Sequence, residues 1–362
     1  MSSISLRRAA GQVLIVGLEG TQLSAMETAW LRLLQPGGLI LFRRNIESAA
    51  QTHALLHSVE GPLLRCVDVE GGTVDRLRDL IAPMPSPFAV AATNQPALFE
   101  KHGSVIGQEV RMLGFNTTFA PVLDLRTATS EPVMTSRVVS GDPSQVTQYA
   151  KLFLKGLAGQ CVLGCGKHFP GLGSGQVDSH HSTPEITKPL NQLWKEDLLP
   201  YRRLAKQLPM VMISHASYSA AVPEPASVSS YWIREVLIRE IGYGGLIVSD
   251  DMEMGGILNY TGIAEATVRS LEAGTHLVEI CRDPALVFAA YEAVLKEAES
   301  SPSFARLLRR AAAKLQTVAI RKRQPPSPTN AAVSKMRTVV ERFAEQVAKQ
   351  AAEKLLFLKG TG

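Results

Sequence analysis

The sequence predicts an α/β protein of the (β/α)8 barrel class. Two observations carry the prediction. Eight short apolar runs recur along the chain, and their hydrophobicity is continuous rather than alternating, as in parallel strands covered on both faces. Segments between them place apolar residues near every 3.6 positions, the period of a helix with one buried face. Strand–helix alternation repeated eight times favours a closed barrel over an open, doubly wound sheet.

In chain order, the first run is Val13–Val16, followed by a helical pattern over Thr21–Leu34. The second run is Gly38–Phe42. The third, Leu63–Val67, ends at Asp68, which opens the stretch Asp68-Val69-Glu70-Gly71-Gly72 leading to Arg76. A helix over Ala97–Leu113 precedes the fourth run, Thr118–Leu123, which ends near Asp124 and upstream of Arg137. A helix over Pro143–Ala158 precedes the fifth, Cys161–Gly166, which ends at Lys167-His168. Leu190–Gln207 reads as one helix, and the sixth run, Met210–Ile213, ends at Ser214-His215. Ser229–Ile241 is helical, and the seventh run, Gly245–Val248, leads into Ser249-Asp250-Asp251. The last unit pairs a helix over Ile263–Ala273 with the run His276–Cys281.

Barrels of this class carry their chemistry where strands end and the following loops begin. Five polar strand ends on one predicted rim therefore mark a site. Past Ala312 the alternation stops. The breaker-rich segment Gln324–Thr329 leads to an amphipathic helix from Ala331 to about Leu358. That helix is expected to pack along the barrel or to serve as an oligomer contact. The expected division is a catalytic barrel over 1–312, with a linker and helix over 313–362 and no second domain.

Composition narrows the function classes. With 362 residues, 45% hydrophobic and 20% charged, the chain has the make-up of a soluble globular protein with an ample core. The net charge of +5 is spread out. Its densest cluster, Arg321-Lys322-Arg323 with Arg309 and Arg310 nearby, reads as a solvated helix face, so no nucleic-acid partner is expected. Four cysteines, at 66, 161, 165 and 281, form neither a zinc-site spacing nor a disulfide framework. The chain shows no secretion signal and no run of membrane length, so a reduced, cytoplasmic setting is the expectation, with no membrane partner. No metal or cofactor is expected, and the oligomeric expectation is a monomer or weak homo-oligomer.

The stretch Lys167-His168-Phe169-Pro170-Gly171, followed by Asp178-Ser179-His180, reads in two ways. It is either a polar surface turn with unrelated histidines or part of a sugar-processing site. In the second reading the Lys-His pair donates hydrogen bonds to hydroxyls, and Asp178 orients and polarises His180 for proton transfer. Asp250, at the end of the seventh run, is placed to attack a carbon or to steady a cation; as the bland alternative it caps the next helix. In an extended strand Val248 and Asp250 share one face, whereas Ser249 and Asp251 share the other, which leaves open which pair points inward. Retaining glycoside hydrolysis needs a nucleophilic carboxylate and a second group that donates and then removes a proton. Asp250 and the Asp178–His180 pair fit those two roles. Asp68, Arg76, Arg137, Lys167 and His168 would clamp the sugar's polar groups. Individually Arg76 and Arg137 read as surface or ion-pair residues, and only the shared rim assigns them to a site.

The segments GQVLIVGLEG, GGLILFRRNI, VDVEGGTVDRL, NTTFAPVLDL, KHFPG with DSH, and GLIVSDDMEMGGI together resemble the N-acetyl-β-glucosaminidase branch of the family 3 glycoside hydrolases. KHFPG followed by DSH is the most specific element, being similar to the acid/base loop that distinguishes this branch from β-glucosidases of the same family. The resemblance implies Asp250 as nucleophile, His180 as acid/base with Asp178 as its partner, and Asp68, Arg76, Arg137, Lys167 and His168 as sugar-binding positions. It also implies a covalent glycosyl-enzyme intermediate, no metal, and small muropeptides ending in β-linked N-acetylglucosamine as substrates in peptidoglycan recycling. Leu172, Ser174 and Gly175 depart from the branch's usual polar loop, SRVVSGDP from its usual arginine segment, and Val69 from a frequent glutamine. AKQAAEKLLFLKG is similar to the helix that opens a second domain in two-domain relatives. Two alternatives accompany the hydrolase reading: a glycoside phosphorylase at the same site, since a histidine acid/base leaves room for phosphate as acceptor, and a catalytically weak, sugar-binding barrel.

Overall fold

The computed structural model describes residues 4–59, 61, 64–127, 134–175, 183–318 and 325–360. Among these, eight parallel strands close into a barrel: β1 Leu14–Gly17, β2 Gly38–Leu41, β3 Leu64–Val67, β4 Thr117–Thr118, β5 Leu163–Phe169, β6 Met210–Ile213, β7 Leu246–Asp251 and β8 Leu277–Ile280. Each strand pairs with its neighbours in sequence order, and β1 closes on β8 through Leu14↔Val278. The continuous apolar runs thus mark strands buried between an inner core and an outer layer of helices. Side chains such as Ile15, Ile40, Cys66, Met212, Val248 and Leu277 fill the barrel's inside. Leu315, at the end of the helix Pro302–Leu315, joins that inner cluster at the strands' N-terminal end. There Gly37 packs so closely that a Cβ would lie 2.8 Å from Leu315 Cδ2. The helix crosses the expected boundary at 312 and supplies the barrel's floor.

Three strands differ from their sequence pattern in ways that matter for the site. β4 is two residues rather than six, because Pro121 has no N–H to give the ladder. The chain nevertheless stays beside β5: Cys165 N donates to Ala120 O at 2.7 Å and Leu123 N to Lys167 O at 2.7 Å. β5 runs on through Lys167, His168 and Phe169, which therefore belong to the strand and not to the loop after it. β7 likewise contains both Asp250 and Asp251. Register shifts interrupt the pairing of β5 with β6 between Gly166 and Phe169, and of β7 with β8 between Val248 and Asp251. Strict in–out alternation fails at such bulges, and side chains are re-aimed.

The predicted helix Leu190–Gln207 is two short ones, Leu190–Lys195 and Leu199–Leu204. Pro200 disfavours helical geometry at the residue before it. In the break, Asp197 is buried against Lys188 at 2.5 Å. The C-terminal helix Asn330–Gly360 lies along the barrel's outer layer. It buries Met336, Val340, Phe343 and Val347 at spacings of one face against the helices Pro87–Ala92 and Pro96–Met112. Arg337 Nε donates to Ile81 O at 2.8 Å, and the Phe343 ring lies 5.6 Å from that of His102. No described helix is long and apolar enough to cross a membrane.

Candidate active site

At the C-terminal end of the strands a cavity of about 380 Å³ opens, the size of a small-ligand site. Its lining includes Phe42 after β2, Asp68, Glu70 and Arg76 after β3, Arg137, Lys167 and His168 from β5, Met212 from β6, Asp250 and Asp251 from β7, and Glu279 and Cys281 from β8. The hairpin Val69–Gly71/Val74–Asp75 turns on Gly71 and Gly72, both left-handed at φ 95° and 66°. A Cβ on Gly71 would meet Pro85 O at 2.2 Å, so this tight turn beneath Glu70 requires glycine.

Glu70 is the hub of the cationic side. Arg137 grips it with two hydrogen bonds, Nε to Oε2 at 2.8 Å and Nη2 to Oε1 at 2.9 Å. Lys167 Nζ lies 2.7 Å from Glu70 Oε1 and 3.0 Å from Asp68 Oδ1. Burial opposes the Glu70 charge, but Arg137 and Lys167 overcome it and hold the carboxyl at about 2. Burial also opposes the Lys167 charge, and Asp68 and Glu70 reverse that, so the ammonium is permanent. Arg76 reaches Asp68 at 3.8 Å and stacks 5.6 Å from the Phe42 ring. Asp124 is hydrogen-bonded to His168 Nδ1 at 2.7 Å and accepts from Leu172 N at 2.7 Å. This fixes the His168 ring and turns Nε2 toward Arg137 Nη2 at 3.4 Å.

Opposite stand three neighbouring acids with different charge states. Burial would raise the Asp250 carboxyl, yet His168, His215, the Asp251 N–H and Lys167 together bring it below the usual aspartate range. The Asp251 N–H donates to Asp250 Oδ1 at 2.9 Å. Burial lifts Asp251 to about 7 and pushes Glu279, beside Asp251 and Asp68, well above the carboxylate range. Asp250 is thus the strongest acid of the three, and such divergence separates roles within a carboxylate cluster. His215 is buried, and desolvation lowers its basicity while Asp250 opposes that; it bonds Ser227 Oγ at 2.8 Å and Asp251 O at 3.0 Å, bracing the strand end that carries Asp250.

Asp68, Arg76, Arg137, Lys167, His168 and Asp250 therefore line one cavity. Asp178 and His180 lie outside the described residues. Arg137, which alone reads as a surface residue, is buried. Glu70, Asp124, His215 and Glu279 also contribute: the sequence places Asp124 and His215 among its polar strand ends without a role, and singles out neither Glu70 nor Glu279. A signal existed for Glu279, since a glutamate inside the apolar run Leu277–Ile280 is costly unless the strand's inner face meets a polar cavity. Among the described residues, no group of three or more His, Cys, Asp or Glu is arranged to hold a metal ion.

Residues 5–318 match the family described as glycosyl hydrolase family 3 N terminal domain. A β-hexosaminidase of Pseudomonas aeruginosa is 36% identical over 294 residues, covering 80% of this chain and 88% of its own. Among solved structures, a family 3 β-N-acetylglucosaminidase from Paenibacillus aligns with a TM-score of 0.83 at 30% identity, over 95% of this chain and 69% of that one. NagZ from Neisseria gonorrhoeae, solved in complex with N-trifluoroacetyl-D-glucosamine, aligns with a TM-score of 0.71 at 28% identity, over 84% and 98%. A multi-domain fungal β-N-acetylglucosaminidase aligns at 0.87 and 25% identity, with this chain spanning 43% of its length.

Proposed function

Because the chain belongs to glycosyl hydrolase family 3, we propose that it is a retaining exo-β-N-acetylhexosaminidase that removes terminal β-linked N-acetylglucosamine, with peptidoglycan fragments as its substrates. The observation that carries this reading is the charge assignment at β7. Asp250 is held below the usual aspartate range at the end of a rigid strand, while burial lifts the adjacent Asp251 to about 7 and Glu279 well above the carboxylate range. An anionic carboxylate facing a cavity rich in hydrogen-bonding cations suits attack on an anomeric carbon.

In the first step an Asp250 oxygen bonds to the anomeric carbon as the glycosidic C–O bond breaks. His180, oriented by Asp178, gives its proton to the departing oxygen. In the second step His180 takes a proton from water, whose oxygen attacks the anomeric carbon and releases Asp250. Lys167, His168 and the Asp68–Arg76 pair hold the sugar's hydroxyls, with Glu70 keeping Lys167 in place and Asp124 the His168 ring. Permanent charge on Lys167 also disfavours protonation of Asp250.

Purified protein is expected to release chromophore from an aryl N-acetyl-β-glucosaminide and to yield free N-acetylglucosamine with or without inorganic phosphate. Sugar-1-phosphate as the main product in phosphate would assign the site to a phosphorylase. Absence of turnover alongside retained binding of N-acetylglucosamine would assign it to a sugar-binding barrel.

A further inference from the structure

Glu279 belongs to none of the roles above, yet it lines the same cavity. It sits on β8 between Leu277 and Cys281, both inside the barrel. The backbone locks it to the nucleophile's strand: its N–H donates to Ser249 Oγ at 3.0 Å, and its carbonyl accepts from Met252 N at 2.9 Å. The residue is 3% exposed. Oε1 accepts from Cys281 Sγ at 3.0 Å, whereas Oε2 has no hydrogen-bond partner among the described residues. The cations of the cavity are committed elsewhere, Lys167 and Arg137 to Glu70 and Arg76 to Asp68. As a packing element Glu279 is a poor choice. A leucine would fill the space without a buried oxygen lacking a partner, which is costly. The partner missing from the protein is one that a ligand in the cavity would supply.

We propose that Glu279 is a substrate-contacting, specificity-determining residue, whose Oε2 forms a hydrogen bond with a ring hydroxyl of the sugar seated against Asp250. The proposal rests on the glycosidase reading. Burial, with Asp251, Asp68 and Asp250 close by, keeps the carboxyl protonated, so it donates a hydrogen bond without placing a second anion beside Asp250. Cys66 and Cys165 face it from β3 and β5, and burial keeps both as neutral thiols. An uncharged carboxylic acid both donates and accepts, so it suits a hydroxyl, which does the same.

The test compares wild type, Glu279→Leu and Glu279→Gln on an aryl N-acetyl-β-glucosaminide and its 3-, 4- and 6-deoxy analogues. The leucine variant is expected to lose about tenfold or more in kcat/KM on the parent substrate, as for removal of one buried hydrogen bond. The glutamine variant, still a neutral donor, should stay near wild type. One deoxy analogue should suffer the same loss on wild type and no further loss on Glu279→Leu. Unchanged kcat/KM in the leucine variant overturns the proposal, as does an equal loss on the parent and every analogue, which marks a merely structural effect. Glu279→Met replaces the leucine variant if that one does not fold. A wild type with no turnover contradicts the glycosidase reading instead. The contact is then read from calorimetric binding of N-acetylglucosamine, where tenfold weaker binding by the leucine variant supports it and equal affinity overturns it.

Discussion

At the scale of single residues, the site depends on charges that keep one another in place. Glu70 is buried with two cations upon it. Replacing it with glutamine leaves Lys167 and Arg137 without their shared counter-charge, a change expected to cost about 3–5 kcal/mol in urea unfolding. The same pair sets an acid limit. The Glu70 carboxyl is held at about 2, below its ordinary 4.5, so its stabilisation is complete above pH 4.5 and is lost as pH falls toward 2. By linkage the loss amounts to about 3 kcal/mol, and Glu70→Gln should flatten that part of the stability–pH curve. Glu279 has the opposite sign. Its raised value means that the folded state holds a proton the unfolded chain gives up, so stability declines as pH rises above the usual carboxylate range. The Tm of wild type should therefore fall relative to that of Glu279→Gln between pH 5 and 8. Residues at predicted strand ends, such as Asp68 and Asp250, are legible in the sequence because an apolar run points at them. Asp124 also ends a predicted strand, but its place under His168, like that of Glu70 under Arg137, is set only by the folded chain beyond β4 and the folded hairpin.

At the scale of elements, periodicity located the strands and missed where they end. Continuous apolar runs cannot report a strand that continues into Lys167 and His168, because the partners that satisfy these polar side chains, Asp68, Glu70 and Asp124, lie beyond other strands. The alternation that leaves Asp250 and Asp251 unresolved is broken by the register shift at Val248/Asp251, and both acids reach the cavity. The same limit hides the break at Asp197, where a buried ion pair with Lys188 replaces a continuous helix. The amphipathic pattern after residue 330 did give a helix. Phe343, fully buried between this helix and Pro96–Met112, holds it to the barrel. Phe343→Ala is expected to destabilise by about 3–5 kcal/mol, with hydrogen exchange accelerating first in the amides of the helix Asn330–Gly360. Uniform exchange across the molecule would show that the helix unfolds only together with the barrel.

At the scale of the whole molecule, the eightfold alternation was legible because a closed parallel barrel buries every strand on both faces, which writes itself into eight separable runs. Closure brings residues from distant parts of the sequence around one cavity, with β8 and β1 side by side. Function then rests on which acid at the end of β7 is the nucleophile. Asp250→Ala should abolish hydrolysis, on the order of 10⁴-fold or more in kcat, while binding of N-acetylglucosamine persists. The most direct measurement is trapping with a 2-fluoro-type N-acetylglucosaminyl donor followed by peptide mapping. Label on Asp250 is the predicted result. Label on Asp251, or a catalytically competent enzyme that never acquires a covalent sugar, would contradict it.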